Sequence, residues 1–340
     1  MFDITNKLNQ NLKRFTSDPE IIAKRVKAQL TKGEKLGLVI SYIALIGLAY
    51  AYYIIDSFPT DFAIYLNVLG GDFTGYFYPY WLLGLIAPFG FIPPFIAYIL
   101  WGMLNIYGVW YACRVFGGNS FIVLISFQML FILGVGQIVG IMVFGLAFFW
   151  VSLSKGKWQL AGIGLLLASA KIQSGFIVAL LLWLIAEIKF KDKLRVLVIP
   201  ILTLGTSLIA YPAWPVNIIA ESQRSSLFTE GNITLWQWIG PWSLLLLFPI
   251  FLIPLNKIHR LIALFSAFIL ISPYFQQADL LTLFIFPIHW LFVLVGNLGD
   301  LSTPDNLIWT KLLGLIPFGA YLSVTVPIIL SKKTKDEKYV

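Results

Sequence analysis

The residues of this chain with the chemistry to act on a substrate are few, and they stand in the breaks between apolar runs. Asp61 and Asp72 lie in TDFAIYLNVLGGDFTGYFYP at 60–79, which carries no basic residue and sets Gly70 and Gly71 between the two acids. Tyr65, Tyr76 and Tyr78 share that stretch. Gln137 stands in GVGQ, Lys171 and Gln173 in AKIQS, and Arg224 in AWPVNIIAESQRSSLFTEGNITLWQW at 213–238. Asp279 closes SPYFQQAD at 272–279, and His289 follows further along the same apolar stretch. An intramembrane ionisable group is costly and is usually functional. Acids, amides and a lysine gathered at one face of so hydrophobic a protein point to the handling of a polar substrate beside the bilayer.

Each residue also has a plainer use. Thr60 or Asp61 suits a helix N-cap, and Asp72 in GGDFTG suits a turn. Lys171 can snorkel to the interface, and Arg224 sits in a soluble-looking loop. Asp279 could cap an apolar helix over 280–298, and His289 could bond to a neighbour within it. Trp214, Trp236, Trp238 and Trp242 suit either an interfacial belt or stacking on sugar faces. Other chemistries find no support. HExxH, CxxC, Walker A, GxSxG and GxGxxG motifs are absent, and the two histidines, His259 and His289, are far apart in sequence. The single Cys113 excludes an internal disulfide and a cysteine metal cluster. Neither a metal nor another cofactor is expected, nor a nucleic-acid partner.

The elements that must position these residues follow from composition. The chain has 340 residues, 59% hydrophobic and 12% charged. A soluble domain carries about 25% charged residues. The mean hydropathy of +0.85 calls for lipid as solvent. Continuous apolar runs, not alternating strands, predict an all-α, polytopic transmembrane bundle of roughly ten to eleven spans with short outer-loop helices. The expected spans are 36–55, 93–113, 120–133, 138–153, 158–170, 174–188, 196–212, 240–255, 261–272, 280–298 and 312–330. Residues 76–91 are apolar but rich in Gly and Pro, and read as a re-entrant or interface-lying element.

Several of the segments are shorter than the ~20 residues a crossing needs, which suggests a recess opening to the outer face. Residues 1–34 form a basic, partly amphipathic segment with no early apolar signal stretch, 35–330 the membrane domain, and 331–340 a charged tail. The stretch DPEIIAKRVKAQLTKGEK at 18–35, with Ile21, Ile22, Val26 and Leu30 at roughly helical spacing, is expected to form an amphipathic helix on the membrane surface or a solvated basic tail. Lys and Arg bias places the N-terminus in the cytoplasm, with Arg114, Lys155, Lys157, KFKDKLR at 189–195, Lys257 and Arg260 on the same side. Lys171 and Arg224 fall outside.

In order along the chain, these segments resemble the GT-C glycosyltransferases of family 87. These are polyprenyl-phosphate-sugar-dependent enzymes that include phosphatidylinositol mannoside mannosyltransferases. Asp61 and Tyr65, the Gly70-Gly71 turn, Tyr78-Pro79 and Pro88 match the family's first outer loop, with Tyr80 where a second Pro is usual. GVGQIVGIMVFGLAFFW matches its Gly-Gln segment through Gly136 and Gln137. AGIGLLLASAKIQSG matches its Lys-Pro-Gln segment through Lys171 and Gln173, with Ile172 for Pro. GNITLWQWIG resembles an Asn-x-Ser-Leu segment with Thr234 for Ser, and SPYFQQADLLTLFIFP matches through Ser272, Pro273 and Asp279.

The resemblance implies a GT-C bundle in the cell membrane. It would move a hexose, mannose-like, from a polyprenyl-phosphate donor to a lipid or glycan acceptor hydroxyl at the outer face, with inversion. Asp61 would be the general base, worth about 10²–10⁴-fold. Lys171 and Arg224 would hold the donor phosphate. Tyr65, Asp72, Tyr76, Tyr78, Gln137, Gln173, Asp279 and His289 would line the substrates. A flippase or transporter of a lipid-linked or small polar substrate, or a non-catalytic subunit of a membrane complex, would use similar features.

Overall fold

The computed structural model describes residues 18–224, 232–255, 257–297 and 312–336. Among these no strand forms, and the one departure from helix and loop is an isolated antiparallel bridge between Asn232 and Gln276. Helix is what a continuous apolar run must adopt in lipid, since no water is there to satisfy its backbone. Lys32–Ile54, Pro94–Phe116 and Phe190–Ala210 are long and apolar enough to cross a membrane. Phe127–Val135 and Val139–Ser154 meet that test together but bend by 115° at their junction. Shorter apolar helices, among them Trp158–Ala168, Ile172–Ile185 and Trp236–Leu252, surround these.

Val139–Ser154 is the buried centre, packed between Pro94–Phe116 and Trp158–Ala168. A Cβ at Gly108 would collide with the Gly140 carbonyl, so the first of these helix pairs approaches too closely there for any side chain. Lys32–Ile54 packs outside Pro94–Phe116, and Phe190–Ala210 outside Trp158–Ala168. Lys257–Ile271 pairs with Leu315–Asp336 over a smaller core of Ile250, Ile262, Tyr321 and Val324.

The N-terminal helix Pro19–Lys27 is not simply laid on lipid. It buries Ile22 and docks on the bundle through Arg114. That guanidinium donates to the carbonyls of Arg25 at 2.9 Å, Ala28 at 2.6 Å and Gln29 at 3.1 Å. These surround the helix's open C-terminus, where carbonyls lack intrahelical partners. Its other edge forks onto Glu34 at 2.7 Å and 2.8 Å, the bidentate geometry that suits a carboxylate. Glu34 also closes a capping box with Thr31 at the start of Lys32–Ile54.

Several expected boundaries move. The 280–298 span is not continuous: a turn over Gln277–Leu280 and a short helix Leu281–Phe284 end before Pro287, and Trp290–Gly296 starts anew. Pro287 has no N–H to carry a helix on. The 120–133 span breaks at Ile125. There the Ser126 hydroxyl caps the next helix by accepting from Met129 N–H at 3.3 Å. Phe190–Ala210 starts before its expected 196, because Asp192 favours a first turn. The last helix continues past 330 to Asp336. Within the 76–91 stretch expected as a re-entrant or interface-lying element, residues 80–91 form 3-10 turns around a four-residue helix and not one continuous span.

Candidate functional site

The bend after Phe127–Val135 begins the site. Gly136 has φ +75° and closes the helix with two backbone bonds, in a conformation that suits glycine. A Cβ there would lie 2.6 Å from the Phe62 Cβ, so the helix Thr60–Leu69 rests directly on the bend. The carbonyls freed by the break are met by neighbouring helices. Tyr98 OH donates to Leu133 O at 2.7 Å, Tyr52 OH to Gly134 O at 2.7 Å and Trp101 Nε1 to Gly136 O at 2.9 Å. Asn105 Oδ1 accepts from Gly140 N–H at 2.8 Å at the start of the next helix. These four side chains hold Gln137 at the bend. A lone amide within an apolar helix, as at Asn105, is the sequence signal that would have found one of them.

Lys171 sits in extended backbone between the end of Trp158–Ala168 and a π-helical turn over Ile172–Phe176. It is neither lone nor snorkelling. Its ammonium is buried and donates to Gln137 Oε1 and Asp279 Oδ1, each at 2.8 Å. Asp279 is fully buried in the Gln277–Leu280 turn, and its side chain goes to the lysine rather than to a helix cap. Its Oδ2 has no partner among the described residues.

Asp61 completes the group. Pro59, not Thr60 or Asp61, occupies the N-cap position, and no side chain caps this helix. The half-buried Asp61 carboxylate instead accepts from Tyr78 OH at 3.3 Å. Burial pushes its carboxyl above the usual carboxylate range. Lys171, then Tyr78 and Gln137, work against that shift, while Asp279 adds to it. The Tyr65 and Tyr78 hydroxyls are held well above their ordinary range, first by burial, so both remain proton donors. Their rings meet edge to face at 5.3 Å, and Tyr65 leans on Trp101 at 5.2 Å, arrangements that the ring quadrupoles favour. Tyr76 packs on Tyr78 at 5.6 Å, with its own hydroxyl buried and unpartnered among the described residues.

Six expected residues therefore converge: Asp61, Tyr65, Tyr78, Gln137, Lys171 and Asp279, with Tyr76 behind them. Others do not join. Asp72 is exposed and accepts from Thr74 N–H at 3.0 Å, a turn of the kind its surroundings favour. His289 is the N-cap of Trp290–Gly296, accepting from Leu291 N–H at 3.3 Å. Gln173 lies half-buried in the π turn and makes none of the cluster's hydrogen bonds. The Arg224 side chain lies outside the described residues, although its backbone ends the helix Trp214–Arg224. Trp214 is buried and stacks on Tyr80, whereas Trp238 and Trp242 are exposed as a belt would require. No group of three or more His, Cys, Asp or Glu able to hold a metal occurs among the described residues. Comparison with family models, with curated proteins and with solved structures finds no match.

Proposed function

We propose that this chain is an integral-membrane glycosyltransferase of the GT-C kind. It moves a hexose from a polyprenyl-phosphate donor to a lipid or glycan hydroxyl at the outer face of the cell membrane. The observation that carries the reading is the meeting of the Asp61 carboxylate with the buried Lys171–Asp279 pair where helices break. Asp61 takes the proton of the acceptor hydroxyl as that oxygen attacks the anomeric carbon. The bond from that carbon to the phosphate oxygen breaks, its electron pair leaves with the phosphate, and the configuration inverts. A carboxyl whose proton affinity is raised by burial suits a general base. Lys171 has three protons and spends two, on Gln137 and Asp279, which leaves one for a phosphate oxygen. Tyr65, Tyr76 and Tyr78 floor the acceptor side.

The GT-C arrangement of ten to eleven spans, with the N-terminus in the cytoplasm, belongs to this reading. It is supported by the separation of the Arg114 cluster from the Asp61 cluster, which lie toward opposite ends of Pro94–Phe116. At about 1.5 Å of rise per residue, Tyr98 and Arg114 stand roughly 24 Å apart along that helix.

The test is transfer from polyprenyl-phosphate-hexose in reconstituted vesicles. Asp61→Asn is expected to lower kcat by about 10²–10⁴-fold while insertion and folding persist. Wild-type turnover in that variant would remove Asp61 from the mechanism. Broken helices around a buried ionisable group, seen here in the bent pair and the Lys171–Asp279 contact, also occur in coupled transporters. Vectorial uptake without release of polyprenyl phosphate would favour that alternative.

A further inference from the structure

We propose that Asn232 is the positioning residue for the Lys171–Asp279 pair, holding from the outer loop the length of backbone that leads to Asp279. The amide is 2% exposed and all its described bonds run to the chain around it. Asn232 Nδ2 donates to Pro273 O at 2.7 Å, and Oδ1 accepts from Phe275 N–H at 3.0 Å and Thr234 N–H at 3.3 Å. The following residues repeat the grip, with Ile233 N–H on Phe275 O and Leu235 N–H on Leu270 O, each at 3.0 Å. The gripped segment runs from Leu270, at the end of Lys257–Ile271, to Gln276, and leads directly into the turn that bears Asp279. Asp279 is in turn bonded to Lys171, and Lys171 to Gln137 beside the Phe62 contact.

A small displacement at residues 273–275 therefore reaches the ammonium through a single side chain. An asparagine is required because the grip uses a donor and an acceptor at once, which neither aspartate nor serine supplies with the same reach.

The kinetic arm of this inference rests on the proposed transfer reaction, and the labelling arm does not. In the full-length protein in detergent, Lys171 is labelled with an amine-acylating reagent and quantified by mass spectrometry. Asn232→Ala is expected to raise Lys171 labelling several-fold over wild type, while buried tryptophan fluorescence remains native. In transfer, its kcat should fall by on the order of 10- to 100-fold with KM little changed, the signature of a misplaced group. Its acid limb should move up in pH, because Lys171 is the cation facing Asp61. The other groups around Asp61 are Asp279, Tyr65, Tyr78 and Tyr274.

Asn232→Asp keeps the acceptor oxygen but sets a second carboxylate oxygen against Pro273 O in a buried site, so it should depart from wild type at least as far as Asn232→Ala in labelling and kcat. Unchanged labelling and an unchanged acid limb in a folded Asn232→Ala variant overturn the inference. Misfolding of both variants also overturns it, since the amide would then be serving the fold at large. A wild type inactive in transfer, with labelling as expected, sinks the transfer reading alone.

Discussion

At Asp61 two effects oppose each other, and the consequence is measurable. Burial raises the carboxyl's folded pKa, and Lys171 offsets only part of that. The ordinary value is about 3.9. A group that is harder to ionise in the fold costs stability as pH rises through the window between its unfolded and folded pKa. Above the folded pKa the full cost is present. Asp61→Asn should therefore unfold no earlier than wild type on heating in detergent, even as it loses transfer. A clear drop in its Tm would mean that the carboxylate holds the helix together.

The Lys171–Asp279 pair behaves in the opposite sense. Removing one member leaves a buried uncompensated charge, at a cost of about 3–5 kcal/mol. Lys171→Met alone thus confuses folding with function. The double variant Lys171→Met/Asp279→Leu should recover most of that stability and still fail in transfer. Recovery of activity along with stability would make the pair purely structural. Asp61, Gln137, Lys171 and Asp279 were legible because each is a polar residue at the end of an apolar run. Asp72 and His289 misled for the same reason: a turn and an N-cap also fall at such ends, and both meet their needs within two residues.

The broken helix at Gly136 shows how one element sets the positions of others. Its bend places Gln137 and gives Phe62 its seat, so the helix Thr60–Leu69 and its Asp61 depend on a residue without a side chain. Gly136 sits at positive φ, where Gly136→Ala meets a conformational penalty of roughly 1–2 kcal/mol. It also drives a Cβ into Phe62. The expectation is a lower Tm and a transfer rate reduced on the order of 10²-fold, from displacement of Asp61. A variant with wild-type turnover would show that the helix seat has slack. The bend was visible in GVGQ as a polar interruption. Its support was not, since Tyr52, Tyr98 and Trp101 read in sequence as ordinary apolar or interfacial residues until their hydroxyl and indole groups are seen on freed carbonyls.

Across the whole molecule the two polar clusters divide the labour. One end of Pro94–Phe116 carries Trp101 against the bend, and the other carries Arg114 against Glu34 and the N-terminal helix. Arg114→Met removes the fork from Glu34 and the donors from the carbonyls around the Pro19–Lys27 C-terminus. The variant should lose about 3–5 kcal/mol through the unpaired Glu34. Trypsin should then cut faster after Lys24, Arg25 and Lys27, which gel analysis of the detergent-solubilised protein would reveal. An unchanged cleavage rate would show that the N-terminal helix is held by other contacts.

The sequence by itself determined the solvent, the class of fold and the places where chemistry was possible. So apolar a chain must be helical in lipid, and its few polar breaks are costly enough to need a reason. Only the tertiary structure decided which breaks meet. Lys171 and Asp279 are 108 residues apart, and no periodicity links them. Their pairing follows from the packing of separate helices, where a buried charge settles on whichever opposite charge the fold brings within hydrogen-bond reach.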